Sequence, residues 1–130
     1  MLDHVGIVVA DLAQARVFVE EVLGLECTEA ESFPDRGIDV AFFALGNAKI
    51  ELLEVTEPEA RRERLGDNVA RIEHIAIKVD DVESTVERLR GFGVKTTTEA
   101  AVFGLGALSY WTRAETSGGV GYQFLERPPQ

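Results

Sequence analysis

The chain has 130 residues, 45% of them hydrophobic and 28% charged, which is the size and composition of one compact domain and argues against disorder. Thirteen Lys and Arg against 23 Asp and Glu leave a formal net charge of −10. That balance disfavours nucleic acid and anionic lipid as partners, because both are bound by neutralising phosphates with cations.

Met1-Leu2-Asp3-His4 lacks the basic region of a secretory signal, and no apolar run approaches the roughly 20 residues that span a bilayer. The stretch around His4, ahead of Asp11, reads as the first strand of the repeat. Asp11 is a good N-cap, and Leu12, Ala15, Val19 and Val22 recur at helical spacing as far as the stop at Leu23-Gly24-Leu25. The single cysteine, Cys27, cannot form an internal disulfide, fits a reducing cytoplasm, and reads as a small buried residue rather than a nucleophile. Val40 to Leu45 is an apolar strand, Gly46-Asn47 a turn, and Lys49 to Glu54 the returning strand. A linker follows at about 57–71. It has room for a short helix and carries Arg61-Arg62-Glu63-Arg64 as a solvated face.

At Glu73 the pattern begins again. Asp3-His4-Val5-Gly6-Ile7-Val8-Val9-Ala10-Asp11-Leu12 aligns with Glu73-His74-Ile75-Ala76-Ile77-Lys78-Val79-Asp80-Asp81-Val82 at an offset of 70. Asp81 caps a second helix with Val82, Val86 and Leu89 on one side, which stops near Phe92-Gly93-Val94. A loop over Ala100 to Gly106 is placed to cover a pocket. Strands are then predicted at Ala107 to Thr112 and Gly121 to Glu126 around the Ser117-Gly118-Gly119 turn, and Arg127-Pro128-Pro129-Gln130 reads as a frayed tail. The order β-α-β-β-β thus occurs twice. The expected fold is α+β: one domain over 1–130, with repeat one at about 1–56 and repeat two at about 72–127. In this reading two tandem βαβββ modules form a curved mixed sheet.

A histidine on a strand is more often a structural residue than a ligand. Here the chain's only two histidines, His4 and His74, occupy the same place in the two repeats. Glu51 and Gln123, 72 residues apart, stand at equivalent places on the last strand of each repeat, among apolar neighbours. A buried carboxylate or amide needs a partner. The alternative is that both simply face solvent. Two imidazoles, a carboxylate and an amide oxygen suit a divalent ion with positions left open for water or substrate.

Leu2 to Val9, Val22 to Leu25, Lys49 to Glu54, Glu73 to Asp81 and Ser117 to Val120 together resemble the vicinal oxygen chelate superfamily, whose members include glyoxalase I, bleomycin-resistance proteins, extradiol dioxygenases and methylmalonyl-CoA epimerases. The resemblance is strongest to the epimerases. It implies one ion (Co, Ni, Zn, Mn or Fe) held by His4, Glu51, His74 and Gln123. It also implies a metal-stabilised enolate formed by moving a proton next to a carbonyl, with Glu51 as a candidate base. Tyr110, Tyr122 or Arg113 would serve as substrate-positioning residues if they are not simply packing or surface. An acyl-CoA thioester substrate and a homodimer follow from the same likeness, while the expected cytoplasmic location rests on the single cysteine and the opening residues. The rival expectations are a glyoxalase-like lyase, an iron dioxygenase, or a non-enzymatic antibiotic-binding protein.

Three departures from the epimerases stand out. The amide and carboxylate ligands have exchanged repeats. Trp111-Thr112-Arg113 stands where many epimerases carry His-Pro-Lys. Val40 stands where some carry a glutamate base.

Overall fold

Leu2–Val9 forms strand β1, as its run of β-branched residues predicts. A computed structural model describes residues 1–128 of the chain. Strands β2 (Cys27–Phe33), β3 (Ile38–Leu45) and β4 (Ala48–Val55) follow helix α1 (Leu12–Val17). Helix α2 (Pro58–Leu65) occupies the linker and leads into β5 (Ala70–Lys78) and helix α3 (Val82–Arg90). Strands β6 (Val102–Gly104), β7 (Ala107–Trp111) and β8 (Gly121–Glu126) complete the chain. Two compact units result. One is His4–Glu73; the other joins Met1–Asp3 to the chain from His74 onward.

Within His4–Glu73 the strand order is β2-β3-β4-β1, with β1 and β4 parallel and the remaining pairs antiparallel. The other unit repeats this as β6-β7-β8-β5, again with one parallel pair, β5 with β8. Each unit is therefore a βαβββ module with a mixed sheet, and His4 and His74 lie on equivalent strands.

Because strand side chains alternate, each sheet has two faces of different use. In the first unit Val9, Ala41, Phe43 and Leu52 pack with Val19 beneath α1, joined by Ile7, Leu12 and Ala15. In the second, Tyr110 packs against Val82 and Val86 of α3, with Leu108 and Phe124 alongside. The opposite faces carry His4, Glu51, His74 and Gln123.

Both predicted N-caps form: Asp11 accepts from the Gln14 amide at 3.1 Å and Asp81 from the Ser84 amide at 3.0 Å. Gly46 takes φ +62° in the β3–β4 turn, a conformation a side chain would resist.

Four expectations need correction. Val22 was expected to face inward, but it is 68% exposed, because the helix widens into a π turn over Phe18–Val22 and rotates the phase. The Ala100 to Gly106 loop contains β6, paired to β7 through Val102↔Ser109. The linker's charge run is only half solvated: Arg61 donates to the Val55 carbonyl at 2.9 Å, and Arg64 holds the Glu73 carboxylate with two bonds, one of 2.9 Å. Arg127 is not frayed, since its guanidinium grips the Asp3 carboxylate. Pro129 and Gln130 of the proposed tail lie outside the described residues.

Candidate metal centre

In the first unit the parallel register pairs His4 with Lys49 and Gly6 with Glu51. His4 and Glu51 therefore share a face, two positions apart. The His4 Nε2 lies 3.5 Å from Glu51 Oε1. Both residues are buried, at 4% and 6% exposure. On the antiparallel side Phe42 pairs with Glu51 and sets its ring edge-on to the His4 imidazole, with centroids 5.4 Å apart.

The second unit repeats the register. His74 pairs with Gly121, and Ala76 with Gln123. His74 and Gln123 again share a face two positions apart, each 8% exposed. The small residues Gly6 and Ala76 stand at matching places beside the polar side chains of β4 and β8.

His4, Glu51 and His74 are three buried side chains of metal-ligating type, and Gln123 adds an amide oxygen. The donor set suits a borderline divalent ion. The spacing of the His4–Glu51 pair also fits. Two ligands at about 2.1 Å from one ion can stand no more than about 4.2 Å apart, and the 3.5 Å between His4 and Glu51 lies inside that limit. An imidazole and a carboxylate brought together away from water also need a cation or a proton to balance their desolvation.

The substrate-positioning candidates fare differently. Tyr110 and Tyr122 lie on the helix-side face with Phe124, opposite to His74 and Gln123 by strand alternation. Tyr110 gives its hydroxyl to the Glu83 carboxylate at 2.9 and 3.0 Å, with the Arg90 guanidinium over its ring. Burial pushes its phenol pKa up, and the Glu83 bond adds to the shift. Arg113 lines a groove of about 790 Å³ beside Arg90, Lys95 and Glu99.

Sequence reasoning overlooked Ser109. It is 3% exposed and accepts a hydrogen bond from Gln123 Nε2 at 3.0 Å. The available signal was its parity in β7, which puts Ser109 and Trp111 on the Gln123 face.

The sequence profile of the glyoxalase/bleomycin resistance protein/dioxygenase superfamily matches residues 3–110. The chain belongs to this superfamily. Its relatives include human mitochondrial methylmalonyl-CoA epimerase, 32% identical over 108 residues that make up 79% of this chain and 60% of that protein. Ethylmalonyl-CoA/methylmalonyl-CoA epimerase of Cereibacter sphaeroides is 36% identical over 96 residues, 72% of each chain. The chain thus spans about three fifths of the human relative and nearly three quarters of the bacterial one. The crystal structure of methylmalonyl-CoA epimerase from Mycobacterium tuberculosis superposes with a TM-score of 0.88 at 30% identity, covering 98% of this chain and 88% of that one. The fold is thus the α+β glyoxalase-like fold of the superfamily, built from two βαβββ modules.

Proposed function

We propose that this superfamily member is a divalent-metal-dependent epimerase that moves a proton next to the carbonyl of an acyl-CoA thioester of the methylmalonyl-CoA type. In this reading His4, Glu51, His74 and Gln123 hold one ion. The observation that carries it is the repeated register: each module buries one histidine and one oxygen-donor side chain on the face away from its helix. The names of the human, Cereibacter and Mycobacterium relatives support the substrate class.

A bound divalent ion would supply positive charge for the substrate oxygens. The chain's own residues do the rest. His4 and His74, fixed on strands β1 and β5, would each offer an imidazole nitrogen. Gln123 contributes its amide oxygen. Glu51 is the carboxylate of the set and takes the α-proton on an Oε atom, the C–H electron pair passing to the thioester oxygen as an enolate. Inversion is completed when a proton from water reaches the opposite face of the α-carbon and the enolate reverts to the thioester. Val40, where some epimerases carry a glutamate, is 2% exposed and apolar, so it takes no part in proton transfer.

Deuterium uptake from D₂O into methylmalonyl-CoA, followed by NMR, tests substrate and mechanism together. Metal-loaded wild-type protein should exchange the α-proton. Glu51→Gln should slow exchange by about 10²–10⁴-fold, the usual worth of a positioned base. His4→Ala and His74→Ala should each lose the ion by elemental analysis of protein purified without a His tag. No uptake by loaded wild type would reject the epimerase reading and leave the metal reading standing. Uptake that survives Glu51→Gln would move the base elsewhere.

A further inference from the structure

Gln123 presents a problem that Glu51 does not. A carboxylate offers two equivalent oxygens, whereas an amide offers one oxygen and one N–H₂ group, and only the oxygen can bind a cation. Once the oxygen is committed to an ion, the nitrogen becomes a buried donor in need of an acceptor. A buried donor left without one is costly.

The acceptor is present. Gln123 Nε2 donates to Ser109 Oγ at 3.0 Å, and both side chains are more than nine-tenths buried. Ser109 pairs with Leu125 in the β7–β8 ladder, and Trp111 pairs with Gln123, so the hydroxyl lies diagonally across the strands from the amide. Strand neighbours fix that placement, which does not depend on a flexible loop. Ala76, Ala107 and Leu125 on the same face are apolar and form a small core cluster.

We propose that Ser109 is a positioning residue for the metal centre: it holds the Gln123 amide by its nitrogen, so that the oxygen is the corner presented to the ion. This inference rests on the metal reading above. Residues that orient metal ligands typically matter by 10–100-fold in affinity. The need arises because the β8 position carries an amide, whose two ends differ, whereas β4 carries a carboxylate.

The test is cobalt(II) and zinc(II) titration of apo-protein by calorimetry, with the visible absorption of bound cobalt as a coordination signature. Ser109→Ala should weaken binding by about 10–100-fold. The decisive pair is Ser109→Thr against Ser109→Val, which are matched in shape and differ in the hydroxyl. Thr should keep affinity and cobalt spectrum close to wild type, while Val should follow Ala. Thermal denaturation of each apo-variant separates loss of fold from loss of ligand orientation. Equal losses in Thr and Val would assign the effect to packing and overturn the proposal. Wild-type affinity in both Ala and Val would overturn it too. Wild-type protein that binds no divalent ion would sink the metal reading itself, and this inference with it.

Discussion

Tyr110 is 2% exposed yet ends in a hydroxyl, and its one O–H, shared between the two Glu83 carboxylate oxygens, resolves that conflict. The phenol pKa is raised from its usual 10.0, first by burial and then by the Glu83 carboxylate. The folded protein thus holds the phenol proton more tightly than the unfolded chain does. Its contribution to stability is complete below about pH 10 and is lost as the pH rises through the higher folded value. Thermal denaturation between about pH 8 and 11 should therefore show a steep alkaline fall that flattens in Tyr110→Phe. An unchanged alkaline fall in the variant would place the titrating group elsewhere. At this scale sequence legibility was uneven. His4 and His74 stood out because the chain has no other histidine, and Glu51 and Gln123 because they interrupt apolar strands. Ser109 did not stand out, because a serine among Ala107, Leu108 and Tyr110 looks like ordinary strand composition. The facing of the tyrosines depends on register, which two separate strands do not reveal until they pair.

Among the elements, the two site-bearing β-α units repeat a latch as well as a sequence. Glu54, at the end of β4, accepts from the Leu12 amide at 2.9 Å; Glu126, at the end of β8, accepts from the Val82 amide at 2.9 Å. Each carboxylate sits at the N-terminus of its module's helix, where unpaired N–H groups and the helix dipole favour negative charge. The shared Leu-Glu ending was visible in the sequence, but the latch was not, because it joins residues 42 and 44 positions apart. Glu54→Ala and Glu126→Ala should each destabilise the protein by about 1.5–3 kcal/mol, the range for a hydrogen bond to a charged group. Urea denaturation at neutral pH measures this, and a loss below a few tenths of a kcal/mol in both would remove the latch from the account. Asp11 and Asp81 were legible as caps because capping by the neighbouring side chain is local. The π turn at Phe18–Val22 was not, since Val22 keeps perfect helical spacing in sequence while the backbone departs from it.

For the whole molecule, the duplication was the most readable feature, and it fixed the strand-helix-strand order of both modules. The short strands β2 and β6 were not located in advance. The former is almost entirely exposed, with the sequence CTEAESF, and the latter has three residues, so neither carries an alternating pattern strong enough to register. Both are outermost in their units. Exposed strand edges invite pairing, and Val17, Phe18, Val22 and Leu23 leave apolar surface on the first module's helix. A homodimer is the expected assembly, and light scattering at micromolar concentration should give twice the mass of one chain. A single-chain mass would count against it.

The allocation of β1 sets the order in which this protein can be made. Met1 and Asp3 bond to Lys78 and Arg127, the latter 124 positions away, and belong with the second unit, whereas His4 and everything to Glu73 form the first. On the ribosome the first module has all its residues once the nascent chain passes Glu73. The second must wait for its last strand and then recover Met1–Asp3, three residues made before any of the first module. Asp3 has no Arg127 to hold until that residue has been added, 124 positions later. Anything that sequesters this short stretch during elongation would therefore delay completion of the second module and leave the first untouched.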